Sequence, residues 1–189
     1  MYADKVQVKV FASSPISVES YIPVFHRWIR DNVLNELLID VVDYSHVPNG
    51  PEVVLLGHAA DYVLDREGGR LGLLYSAKRV PATDEGSFLP ALRRAITASL
   101  LIEKEPGPVP LAFRSDELLI RINDRLRAPN DDAGFRSVEP ELKKALDRLY
   151  AGSAFELRRV GEPRDLLSIQ VRAASAPPLG QLAPRLGNA

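Results

Sequence analysis

The chain has 189 residues, 46% apolar and 26% charged, with a formal net charge of −1 and no cysteine. That length suffices for one domain with a sizeable core or for two small lobes. Near-neutral charge gives no general affinity for nucleic acid or anionic membranes, and the missing thiols exclude disulfides, thiolate metal sites and cysteine nucleophiles.

The opening MYADKVQVKV lacks the apolar core of a secretory signal, and no apolar run approaches the ~20 residues of a membrane span. A soluble, cytoplasmic protein is therefore expected. Val6, Val8 and Val10 alternate with Lys5, Gln7 and Lys9, which predicts a first strand with one apolar face. Ser13, Ser14 and Pro15 end it. A helix follows, capped by Ser17 or Ser20, with Pro23 in its opening turn. Ile22, Phe25, Ile29 and Val33 step at helical spacing, widened by Tyr21, Val24 and Trp28, while His26, Arg27 and Arg30 fall towards solvent.

Leu37 to Ala77 reads as four consecutive strands. The runs Leu37–Val42 and Val53–Leu56 are almost unbroken in hydrophobicity, the mark of interior strands covered on both faces. Pro48, Asn49, Gly50 and Pro51 between them predict a turn and an antiparallel pair. The strand at Tyr62–Asp65 is joined through Gly68 and Gly69 to one at Leu71–Ala77. That last strand alternates more, which places it nearer an edge guarded by Lys78 and Arg79.

A second helix starts near Ser87, with Pro90 in its first turn and Leu92, Ala95, Ile96 and Ser99 as its packing stripe. The stretch EKEPGPVP is the clearest break in the chain. It divides an N-terminal lobe, 1–105, from a C-terminal lobe, 111–173, through a linker at 106–110. In the second lobe, Leu118, Ile120 and Ile122 mark a strand and APNDDAG a polar loop. A helix follows from an N-cap at Ser137 to Gly152, with Val138, Leu142, Ala145, Leu146 and Leu149 as its buried stripe. Strands begin at Phe155 and at Leu167. The tail, 174–189, has no periodicity and is expected to be mobile or to extend over a neighbour. The pattern is α+β: mostly antiparallel sheet packed with three amphipathic helices, with strand-helix-strand-strand order in both halves as a possible pseudo-repeat.

Two groups of side chains could carry chemistry. Pairing about the PNGP loop would bring His58 near Asp40, with His46 and Asp43 close by, and an imidazole beside a carboxylate can serve as a general base or a metal ligand. The spacings match no established metal or hydrolase motif, and loop hydrogen bonding accounts for the same residues. The second group is Arg121 and Arg125, with Arg127, on one strand and Arg158 and Arg172 on others; shared on one sheet face, these guanidinium groups would suit a carboxylate or phosphate. A solvated, salt-bridged surface is the alternative, and no aromatic side chain alternates with the arginines as nucleobase stacking would require. Asn130, Asp131 and Asp132 are bunched too closely for a calcium loop and read as a turn before a helix. No phosphate loop or nucleophile elbow is present. No metal or cofactor is implied.

The expected function is a non-enzymatic binding or assembly module acting through a sheet face or an oligomer interface. Three helices leave apolar sheet for a second copy to cover, so a homodimer is expected. The alternative is a hydrolase built on His58 and Asp40, with or without a metal.

Overall fold

A computed structural model describes residues 5–13, 17–47, 50–78, 85–106 and 110–187. The expected turn residues Pro48 and Asn49, Arg79, and Gly107 to Val109 of the linker lie outside them. The chain forms strands β1 (Val6–Ala12), β2 (Leu38–Asp43), β3 (Val53–Gly57), β4 (Ala60–Asp65), β5 (Gly72–Ala77), β6 (Phe113–Ile122), β7 (Phe155–Val160) and β8 (Leu167–Ala173). Its helices are α1 (Ile22–Asp31), α2 (Phe88–Lys104), α3 (Asp132–Tyr150) and the short α4 (Leu179–Leu182). None is long and apolar enough to cross a membrane among the described residues.

All eight strands of the described residues join one antiparallel sheet in the order β2-β3-β4-β5-β1-β6-β8-β7. The α+β class with mostly antiparallel sheet is what the periodicities predict. The two sequence lobes meet inside the sheet, because β1 inserts between β5 and β6. One continuous core runs through both. The recurrence of strand-helix-strand-strand is one of order only: β6 pairs with β8, whereas β4 and β5 separate β1 from β3.

Period-two alternation explains the layers. Val6, Val8 and Val10 face Tyr75 and Leu73 on one side and Ile122, Ile120 and Leu118 on the other; all sit under the helices in the core. Ile169 and Val171 continue that layer through β8, and Tyr62, Leu64, Val53 and Leu55 continue it through β4 and β3. Helix α2 crosses β1, β5 and β6, α3 lies against α2 and β8, and α1 against β2. The described helices cover one face. Phe11, Val54 and Val63 on the opposite face are buried but stand outside that core.

Strand position departs from expectation at two places. β2 is an edge strand rather than an interior one, with Ile39 58% exposed and Leu37, just before it, 67% exposed. A register shift between Leu38 and Asp40 interrupts the alternation there. β5, expected near an edge, lies between β4 and β1. A strand's apolar content reflects the packing it could support, whereas its place in the sheet depends on β1, a distant segment that pairs with β5.

Two helix limits also differ. In α1 the buried residues are Val24, Phe25 and Trp28, and Asn32 in left-handed backbone ends the helix before Val33, which is exposed. Helix α3 begins a turn and a half before Ser137, because Asp131 is its N-cap, accepting a 2.7 Å hydrogen bond from the Gly134 N–H. Ser137 lies inside, its hydroxyl donating to the Gly134 carbonyl at 2.7 Å. The described part of the tail packs back on its own chain. Leu179, Leu182 and Leu186 are buried on the chain's own α2 and α3, and Arg93 Nε donates to the Leu186 carbonyl at 2.7 Å.

Candidate functional site

The helix-free face carries the residues that alternate with the core positions: Gln7, Lys9 and Phe11 on β1, Glu117, Leu119 and Arg121 on β6, Ser168, Gln170 and Arg172 on β8. Charged side chains on such a face are ordinarily wet. Here several are not. Lys9 is 1% exposed and Asp65 on β4 is 4% exposed, and the two form an ion pair. The lysine stem reaches Asp65 over Gly72, where any Cβ would lie 2.7 Å from the Val10 carbonyl and 2.9 Å from Lys9 Cε. Glycine at that point makes room for the buried pair.

A second pair lies beside it. Arg70 grips Glu117 with both ends of its fork, at 2.7 and 2.8 Å, and stacks on the Phe11 ring at 3.8 Å from its centroid. Gln170 Nε2 adds a 2.7 Å donor to the same carboxylate. The Arg70 hydrogen bonds, opposed by burial, hold the Glu117 carboxyl down at about 2. Glu117 is 3% exposed, so the middle of this face is sealed by its own ion pairs.

Towards the β6–β8 end the face opens into a cavity of about 520 Å³. Arg121 projects into it from β6, directly opposite Ser168 of β8. The chain then leaves β6, and a turn held by Asp124, whose carboxylate accepts from the N–H groups of Leu126 and Arg127 at 3.2 Å, brings Arg125 to the rim. The β7–β8 turn supplies Arg164, and Arg125 Nη1 ties the two loops by donating to the Arg164 carbonyl at 3.0 Å. Leu119, Val160 and Leu166 make the apolar part of the wall.

The lining holds three guanidinium groups, Arg121, Arg125 and Arg164, against two carboxylates, Glu67 and Asp165. Arg121 pairs with Glu67 at 2.5 Å. Asp165 accepts from the Glu162 N–H of its own turn at 2.7 Å. Arg125 and Arg164 form no ion pair with any carboxylate among the described residues. The Ser168 hydroxyl donates to the Leu166 carbonyl at 2.9 Å and no imidazole lines the cavity, so Ser168 has no histidine to activate it. Chemically, this set of donors is suited to an anion.

The other candidates are dispersed. Arg158 lies opposite Gln170, one strand further out, and Arg172 lies opposite Glu117 and Glu156 beside a separate hollow of about 290 Å³. His58 is exposed in the β3–β4 turn, and its backbone N–H donates to the Leu37 carbonyl at 2.8 Å. Asp40, opposite Leu56, uses its carboxylate on the neighbouring Val41 N–H at 2.7 Å. Asp43 accepts from the Ser45 N–H at 2.9 Å; hydrogen bonds from Ser45, with a smaller contribution from His46, hold its carboxyl below the usual range. No histidine pairs with a carboxylate, and no cluster of three or more metal-ligating side chains occurs, among the described residues. Asn130 is buried between the Val160 and Glu162 carbonyls, to each of which its Nδ2 donates at 3.0 Å, while Asp131 and Asp132 begin α3.

Arg164 and Glu67 were absent from the sequence candidates. Both sit in turns, GEPRD and REGG, where spacing along the chain says nothing of what lies opposite. The GEPRD turn borders β8, which pairs with arginine-bearing β6, whereas the REGG turn borders β5, which β1 separates from β6. Comparison with protein-family models, curated proteins and solved structures found no match to this chain.

Proposed function

We propose that this protein is a non-enzymatic binding module, that the helix-free sheet face is its working surface, and that the cavity between β6 and the β7–β8 turn receives an anionic group of its ligand. The observation that carries this reading is the convergence of Arg125 and Arg164 on one cavity with no carboxylate partner for either among the described residues. Unpaired guanidinium groups on neighbouring loops present a fork of donors to a carboxylate or phosphate. The apolar wall suits a small organic anion better than a bare ion. Nucleic acid fits less well, because the lining holds no aromatic ring and the chain carries no basic excess. The homodimer expected from the sequence is a separate proposal: the ion pairs close the middle of the helix-free face, while Leu37 and Ile39 stay exposed at the β2 edge of the sheet.

Calorimetric titration with inorganic phosphate, succinate and citrate at low ionic strength tests the proposal. Arg125→Ala and Arg164→Ala should each weaken binding by about tenfold or more, the worth of a charged hydrogen bond at roughly 1.5–3 kcal/mol. Arg172→Ala, outside the cavity, should leave it unchanged. Absence of binding by all three probes, or equal binding by all variants, rejects the assignment.

A further inference from the structure

Arg121 is the most enclosed of the three cavity arginines, its side chain 16% exposed whereas Arg125 and Arg164 are exposed, and its ion-pair partner is a carboxylate of the chain itself. Glu67 is poorly anchored by contrast. Its side chain is 57% exposed and stands at the tip of the β4–β5 hairpin, where Gly68 and Gly69 take positive φ angles of 69° and 74° and nothing packs above them. The Glu67 backbone is held independently: its N–H donates to Asp65 at 2.9 Å and its carbonyl accepts from Lys9 Nζ at 3.4 Å. The carboxylate can therefore swing away while the hairpin stays in place.

We infer that Glu67 is an in-chain occupant of the ligand's place, and that the ligand is a carboxylate with a hydrocarbon body, which takes over Arg121 when it binds. This rests on the cavity being a binding site, as proposed above. The guanidinium of Arg121 already receives a planar carboxylate at 2.5 Å, so an incoming carboxylate repeats an interaction the site makes. An ion pair with one largely exposed partner contributes little and is exchanged at small cost. Arg125 and Arg164 stand ready at the rim, and Leu119, Val160 and Leu166 accept the hydrocarbon part. Glu67 then sets selectivity: only a group that competes with a carboxylate for Arg121 enters fully.

Hexanoate and inorganic phosphate are the probes, titrated against the full chain and its Glu67→Gln variant, with circular dichroism and thermal melting confirming that each variant folds. Glu67→Gln removes the competing charge and should bind hexanoate at least tenfold more tightly than the unaltered chain, with a smaller gain for phosphate. Adding Arg121→Ala to Glu67→Gln should abolish that gain. If Glu67→Gln binds no tighter while Arg164→Ala still weakens anion binding, the exchange at Arg121 is wrong and the cavity assignment stands. A larger gain for phosphate than for hexanoate overturns the ligand class, and no binding to any form overturns both readings.

Discussion

Lys9 and Asp65 are 56 residues apart in sequence, yet the lysine ammonium meets the aspartate carboxylate beneath the surface of a sheet face that no described helix covers. The pair spans from β1 to β4 across the intervening β5, and only the glycine at 72 leaves a path for it. A polar interaction therefore fixes the relation of three strands on the side where the apolar core has no hold.

Asp65→Asn should destabilise the fold by about 3–5 kcal/mol in urea unfolding, because it leaves a buried ammonium without its counter-charge. The double variant Lys9→Met, Asp65→Leu should recover most of that loss. If Asp65→Asn costs less than about 1 kcal/mol, the burial of the pair is wrong.

Gly72→Val tests the same crossing sterically. Its Cβ would meet a backbone oxygen at 2.7 Å and the lysine stem at 2.9 Å. A cost of about 1–3 kcal/mol is expected from forced overpacking. In the Lys9→Ala background the penalty of the substitution should shrink, since part of the obstruction has gone; equal penalties in both backgrounds would show that Lys9 does not pass over residue 72.

Stability should fall in acid through Glu117. Its folded-state carboxyl titrates at about 2 rather than at the ordinary 4.5, so its contribution is fully present above 4.5 and is lost as pH falls from 4.5 through about 2. Unfolding free energy followed by urea titration between pH 6 and pH 2 should therefore show a decline that is shallower in Glu117→Gln. An identical pH profile for the two proteins would remove Glu117 from the account.

Burial pushes the Tyr75 phenol up to about 12, and Tyr62 and Tyr150 are shifted upward for the same leading reason. A raised phenol favours the folded state below the unfolded value near 10 and loses that contribution as pH rises through the folded value. Phenolate absorbance should therefore show these three tyrosines ionising only as the protein unfolds in alkali. Full titration of all tyrosines near pH 10 with secondary structure intact would contradict their burial.

Much of the architecture was legible in residue order. Alternation in Val6–Val10, Leu118–Ile122 and Leu167–Val171 marks three strands with one apolar face, and in the structure those apolar residues do form the layer under the helices. The helical stripe of Val138, Leu142, Ala145, Leu146 and Leu149 is buried as its spacing predicts. Helix α3 still starts earlier than Ser137 suggests, because Asp131 offers a competing cap and the tie of Asn130 to the β7–β8 turn holds it in place. The same alternation put Arg121 on the face opposite the core, but it could not bring in Arg125, which arrives through a turn, or Arg164, which arrives from another hairpin.

Residue order by itself determined which segments become strands and helices and which side of each is apolar, because both follow from periodicities of two and 3.6 residues acting locally. Tertiary structure alone decided that β1 sits mid-sheet, that β2 becomes an edge, that a lysine on the outward face is buried, and that Arg121, Arg125 and Arg164 meet Glu67 at one cavity. Those outcomes depend on pairings between segments tens of residues apart, selected by how the whole sheet closes over its core, and no local pattern encodes them.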